Sequence, residues 1–295
     1  AQYKLGVIYF EGIYVQRHIK KSINYLLQSA EQDNSHALYL LGKIYFEGID
    51  VKKNVNKALQ YFTRSANLNN SDAQFVLGFI NMENANYEKS IHYFTLSSNQ
   101  NNKDAQFILG MIYFSNVFSI YDINKSIKYL NLSAKQYSVD SQLLLGEIYF
   151  NDAFVSKDIK KAIYYFKEAS SINNSSAKNY LGIIYKNGDG VEKNIMIAIE
   201  YFNEAIRIDQ SRLAIYNLAR IYYFGIYVDK NVPKAIELLE NSANDSVDYI
   251  DFFLFFIFLI QDNKEKREYY YNRIENKYCN FNSIRKYISF CKYGI

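Results

Sequence analysis

Three histidines, two cysteines and one Gly-x-Gly segment are the places in this chain where residue type and spacing could support chemistry. A zinc site on a helix needs imidazoles spaced to share one face. His18, His36 and His92 share no such spacing, so surface or packing roles are expected. Gly188-Asp189-Gly190 could form a phosphate-cradling loop, in which backbone N–H groups face the anion. No Lys-Ser/Thr pair follows it and no strand precedes it, so a turn is the expectation. There is no Gly-x-Ser-x-Gly nucleophile elbow, and neither Cys279 nor Cys291 sits in a motif with histidine. A non-enzymatic chain without cofactor or metal is therefore expected.

Composition narrows the classes further. The 34 basic and 30 acidic residues leave a net charge of +4, without the domain-wide basic excess of a nucleic-acid binder. A disulfide framework would spread cysteines through the chain, whereas Cys279 and Cys291 both lie near its C-terminal end; a reducing compartment such as the cytoplasm is expected. The longest apolar run, Phe252 to Ile260, has nine residues. A membrane-spanning helix needs about 20, so a buried helix and no transmembrane segment are expected. One proline among 295 residues points to a nearly all-helical chain. The first residues are already mid-motif, which reads as part of a longer protein.

The positions of glycine reveal the elements. Gly6, Gly42, Gly78, Gly110, Gly146 and Gly182 each sit in a variant of Leu-Gly-x-Ile-Tyr, at steps of 36, 36, 32, 36 and 36 residues. A fixed period of this size marks a stacked repeat. Each unit reads as two helices. The first is expected to begin near a small residue (Ala1, Ala37, Ala73, Ala105, Ser141, Ala177, Ala214), with Leu four residues on and Tyr eight on, all on one face. Glycine inside a helix costs about 1 kcal/mol against alanine. Its recurrence implies a close neighbour, and Ala219 in the seventh unit is the next smallest residue. Asn54, Asp122, Asp158, Asn194 and Asn231 are expected to cap the second helices. Pairs such as Tyr61-Phe62 and Tyr201-Phe202 fill those helices, and small pairs such as Ser65-Ala66 close them.

Residues 1–12, Ala-Gln-Tyr-Lys-Leu-Gly-Val-Ile-Tyr-Phe-Glu-Gly, closely resemble the Sel-one-like repeat, a relative of the tetratricopeptide repeat. Ala37–Ala66 matches a whole unit, and seven units over residues 1–243 match in register. The family's usual Trp before the second aromatic is Tyr here; the third unit lacks four loop residues and carries Asn81 for Tyr. The resemblance implies an all-α, right-handed α-α superhelix, a solenoid of about seven helix pairs. Residues 244–295 are expected to form a divergent helical cap: an apolar helix over 247–260, a partner over 263–277 and a short helix over 280–292. A secreted branch of the family with β-lactam-related activity carries a cysteine pair per repeat, and this chain lacks those cysteines.

By the same resemblance, the first helices line a concave face that takes a peptide or helix of a partner protein. One row on it comprises Tyr3, Tyr39, Phe75, Phe107, Leu143, Asn179 and Tyr216. A second comprises Phe10, Phe46, Met82, Phe114, Phe150, Lys186 and Tyr223, with Lys43, Glu147 and Arg220 between them. The competing expectation is that these aromatics pack between adjacent repeats. A protein-interaction scaffold or adaptor is the expected function. The alternatives are the regulatory region of a larger signalling enzyme such as a protein kinase, and a secreted or ER-lumenal quality-control adaptor. Acceptor-like Asn131-Leu132-Ser133 and Asn173-Asn174-Ser175-Ser176 bear on the second alternative.

Overall fold

Side-chain caps set where the helices start. Asn34, Asn70, Asn102 and Asn174 each accept the backbone N–H of the alanine three residues on, at 2.8–2.9 Å. This satisfies one of the donors that a helix start leaves orphaned, for about 1 kcal/mol each. The first helices therefore begin two residues before the expected alanine. The second helices start as expected: Asn54, Asp122, Asp158, Asn194 and Asn231 accept from the residue three on at 3.0–3.1 Å. His18 does the same in the first unit, its Nδ1 accepting from Lys21 N–H at 3.3 Å.

The computed structural model describes residues 1–115, 120–242 and 249–278. Among them are sixteen helices and no strand. The chain is an all-helical repeat solenoid of adjacent helix pairs. In order they are α1 (Gln2–Glu11) with α2 (Ile19–Ala30), α3 (Ser35–Glu47) with α4 (Val55–Asn67), α5 (Ser71–Glu83) with α6 (Tyr87–Asn99), and α7 (Lys103–Phe114) with α8 (Ile123–Ala134). Then come α9 (Val139–Phe150), α10 (Ile159–Ser171), α11 (Ser175–Asn187) with α12 (Ile195–Asp209), α13 (Arg212–Phe224) with α14 (Val232–Ser242), and α15 (Tyr249–Ile260) with α16 (Lys264–Tyr278). The expected helix over 280–292 and both cysteines lie outside the described residues. Two compact units divide the chain: Ala1–Leu145 with Ala153–Val155, and Gly146–Asp152 with Ser156–Ile295.

Within each pair, a large side chain from the second helix fills the space beside the glycine of the first. A Cβ on Gly42 would sit 2.6 Å from the Phe62 ring; on Gly78, 2.6 Å from Phe94; on Gly182, 2.6 Å from Phe202. Leu26 and Leu130 approach Gly6 and Gly110 equally closely. These side chains are almost wholly buried. In the seventh repeat, Ala219 is buried in a cluster with Leu239. Serine hydroxyls reinforce the contact: Ser22, Ser90 and Ser126 donate to the carbonyls of Gly6, Gly78 and Gly110 at 2.7–2.9 Å.

The loop inside each repeat is pinned at one point. The cap residue of the second helix donates its N–H to a carbonyl near the end of the first: Asn54 to Tyr45, Asp122 to Tyr113, Asn194 to Tyr185, at 2.8–2.9 Å. In the shortened third repeat, Asn86 donates to Asn81 at 2.8 Å. Gly48 and Gly188 end their helices at φ 75 and φ 80, a left-handed conformation that costs glycine little. Helices α5 and α7 have no glycine at the exit and end on Asn84 and Ser115 at φ −85, so their exits differ, as the missing loop glycines imply.

Successive repeats join through buried glutamine. Gln74, Gln106 and Gln142 donate to the carbonyls of Ala66, Ser98 and Ala134, the ends of the preceding second helices, at 3.3–3.5 Å. In the second unit, α15 packs Ile250, Phe253, Leu254 and Ile257 into one cluster with Ala235 and Leu239 of the last repeat. Its fully buried Asp251 is paired with Arg273 Nε of α16 at 2.8 Å.

The glycine contact yields a prediction. Gly42→Ala should destabilise the protein by about 1–3 kcal/mol through overpacking, although alanine favours helix. Phe62→Leu in the same chain should recover part of that loss, reproducing the Ala219–Leu239 pairing. Urea denaturation of the two single variants and the double variant checks this; a more stable Gly42→Ala would contradict the packing account.

Candidate partner-binding face

Relative to the repeat glycine, the three rows occupy positions −3, +1 and +4, a spacing that places them on one helix face. In the first unit this stripe is Tyr39, Lys43, Phe46 on α3, then Phe75, Phe79, Met82 on α5, then Phe107, Met111, Phe114 on α7. Met111 is exposed and the others are half-buried. Tyr39 and Phe46 both lean on the buried Phe62, with ring centroids 5.9 and 6.1 Å away. Phe75 and Phe79 meet edge-on at 4.9 Å, and both touch Phe94. Phe114 contacts Phe154 at 4.9 Å. These side chains thus pack into the seams with one flank and leave the other to solvent. Burial is the main cause of the raised Tyr39 pKa, with the Asp72 and Glu47 charges adding to it.

The stripe of the second unit is more polar. Phe150 lies edge-on to Phe166 and to Tyr180, at 6.3 and 5.7 Å. Tyr180 stacks flat on Phe166 at 4.6 Å, and its hydroxyl bonds the carboxylate of Glu147. Burial raises the pKa of Glu147, and the Tyr180 hydrogen bond offsets part of the rise. The Tyr180 pKa is pushed up to about 12, chiefly by burial and then by the Glu147 charge. Asn179 is buried, accepting from Asn217 Nδ2 at 3.0 Å. Tyr216 and Tyr223 pack on Phe253 at 5.5 and 5.4 Å, and Tyr223 is buried. The Arg220 guanidinium lies 5.6 Å from the Tyr216 ring centroid. Lys186 is half-buried; its pKa is lowered by burial first and then by Arg220.

Tyr180 and Asn217 were outside the residues expected to line the partner face. Lys186 stood in the second expected row, which is otherwise aromatic or Met. The pairing of Tyr180 with Glu147 joins residues on different helices and has no sequence signature.

A second recurrent device lies where the two helices of a repeat meet. Tyr9 stacks on Tyr25, Tyr45 on Tyr61, Tyr113 on Tyr129, Tyr149 on Tyr165 and Tyr185 on Tyr201, at 5.7–6.0 Å. A lysine from the first turn of the second helix covers four of these stacks; Lys57 lies 4.1 Å from the Tyr45 ring and donates to its hydroxyl at 3.0 Å. These tyrosines therefore belong to the packing of the repeat. Among the described residues no group of histidine, cysteine and acidic side chains could hold a metal, and no helix is long and apolar enough to cross a membrane. Asn131-Leu132-Ser133 lies within α8, where the buried Ser133 hydroxyl donates to the Lys103 carbonyl at 2.9 Å.

A pH dependence follows from Glu147. Its folded pKa lies above the unfolded value, so its contribution to stability is full below about pH 4.5 and is lost as pH rises through the folded pKa. Glu147→Gln should remove that dependence and be at least as stable as the parent at about pH 7. Tyr180→Phe should cost about 1–3 kcal/mol at that pH, because it strips a half-buried carboxylate of its donor. Chemical denaturation at about pH 4 and about pH 7 reads both; an unchanged pH slope in Glu147→Gln would refute the assignment.

Comparison with known proteins places these helix pairs. The Sel1 repeat family model matches residues 1–34, 35–70, 71–102, 103–138, 139–174, 175–208 and 212–246. No curated protein matches significantly. Among solved structures, a protective antigen of uropathogenic Escherichia coli displaying an SLR fold is similar, with a TM-score of 0.71 and 24% identity. The match covers 92% of this chain and 56% of that one, so this chain spans little more than half of the antigen's length. A Sel1 repeat protein from Oxalobacter formigenes has a TM-score of 0.60 and 24% identity, covering 70% of this chain and 86% of that one. At such identity these structures establish the fold alone. Seven consecutive matches, aligned with the helix pairs and their glycine contacts, show that the chain belongs to the Sel1 repeat family.

Proposed function

We propose that the protein is a non-enzymatic scaffold that holds a peptide or helix of a partner protein along the stripe of its first helices. Sel1 and tetratricopeptide-like repeats generally serve as protein-interaction scaffolds. The observation that carries the reading here is the half-burial of Tyr39, Lys43, Phe46, Phe75 and Phe107 on successive first helices. Seam packing holds each ring in place at little entropic cost on binding, and the solvent-facing flank remains available for contact. In the second unit the same positions are Glu147, Phe150, Tyr216, Arg220 and Tyr223. There Tyr223 is buried and serves packing rather than contact.

Residues 244–295 are read as an end cap. Their described helices cover Ala235, Leu239 and Tyr223, which would otherwise face water.

Two experiments test these assignments. A photo-crosslinking amino acid at Lys43 or Met111 should capture partner proteins in cells, while the same probe at exposed Lys20 on α2 should not. Capture from Lys20 alone would overturn the first-helix assignment. Removal of residues 244–295 should leave the last repeat prone to aggregation by light scattering; a soluble truncation of equal thermal stability would refute the cap.

A further inference from the structure

The start of a first helix and the end of its second helix meet at one edge of the repeat. Three repeats close that edge with a pair of amides. Gln32 Nε2 donates to Gln2 Oε1 at 2.6 Å, Gln100 to Gln74 at 2.7 Å and Gln136 to Gln106 at 2.8 Å. The residues in register in the sixth repeat are Lys178 on α11 and Ile208 on α12. Isoleucine has no donor to close the edge with, and Ile208 is exposed. A cavity of about 340 Å³ is open here, lined by Asn173, Lys178, Glu204, Arg207 and Ile208.

The charges of this lining are only partly used. The Lys178 side chain is 13% exposed, and its Nζ donates to Glu204 Oε2 at 2.5 Å. That engages one of the three protons of the ammonium. Arg207 donates from Nε to the Asn203 carbonyl at 3.4 Å and has no ion pair among the described residues. Its planar fork is therefore left for a two-point contact with a carboxylate. Asp209 is not part of the lining and is already engaged, accepting from the Ser175 hydroxyl at 2.5 Å. Two cations thus share one carboxylate around a single cavity, beside the apolar wall of Ile208. A volume of this order lies at the lower end for small-ligand sites. It suits a small acid, not a helix.

We infer that this crevice of the sixth repeat binds a carboxylate carried on a short apolar arm. The carboxylate pairs with Arg207 and Lys178, and the arm lies on Ile208. A free apolar amino acid and the C-terminal residue of a protein both present that chemistry. None of the lining residues belongs to the three rows of the first helices, so the site is independent of the scaffold reading.

The test is isothermal titration calorimetry of the full chain with N-acetyl-leucine, leucine and N-acetyl-leucinamide. The two acids should bind, and the amide, which lacks the carboxylate, should not bind up to about 10 mM. Arg207→Met should weaken binding by about tenfold or more. Ile208→Gln, which installs the closing glutamine of the other repeats, should weaken it as much. Both residues are exposed, so both variants should melt with the parent. Tighter binding of leucine would identify a free amino acid as the ligand; tighter binding of N-acetyl-leucine would identify a chain end.

Four results would overturn the inference: no binding of either acid up to about 10 mM, equal binding of the amide, inorganic phosphate bound as tightly as the acids, or undiminished binding in both variants.

Discussion

The contact between a glycine of the first helix and a phenylalanine or leucine of the second governs this fold. A Cβ at that glycine would lie within 2.5–2.6 Å of the opposing side chain, too close for any methyl group. Glycine therefore lets the helices approach while the ring or leucine fills the gap completely. Its helical penalty is about 1 kcal/mol, whereas full burial of Phe or Leu returns about 1.5–3 kcal/mol. Packing wins, and the same trade recurs from repeat to repeat. Other contacts follow from it. The serine hydroxyl reaches the glycine carbonyl only because the backbones are close. With the glycine turned toward the second helix, the −3, +1 and +4 positions fall beside it and are left half-covered.

The remaining interactions fix each pair in register without prescribing loop shape. The cap residue of every second helix is held to the first helix by one backbone hydrogen bond, whatever the loop between them. The third repeat loses four loop residues yet keeps this bond through Asn86 and Asn81. Loop length is thus separated from helix packing, and loops can vary at small entropic cost. Buried glutamines bind the carbonyl ends of preceding helices, so polar groups join repeats where apolar contact alone would allow sliding.

Much of the fold was legible because its cause is local and repeated. Glycine, Leu and Tyr on a fixed period identify both helices, and Asn or Asp before the second helix identifies its start. The caps of the first helices were missed, since Asn34, Asn70 and Asn102 lie in Asn-rich turns where cap and turn residues look alike. His18 was missed as a cap because imidazole is an uncommon one. For the candidate site, the rows were legible as a helix face, but their burial was not. Period alone cannot say whether Phe46 meets solvent or Phe62; only the placement of the neighbouring helix decides. Contacts such as Glu147 with Tyr180 depend on how one repeat sits on the next, which no spacing within a repeat encodes.

A repeat array tolerates departures from its pattern because each repeat touches only its neighbours. A polar residue in one seam costs stability there and nowhere else. The second unit uses this freedom repeatedly: Asn179 replaces an aromatic and is satisfied by Asn217, and Glu147 is satisfied by Tyr180. Each of those departures brings its own partner within the chain.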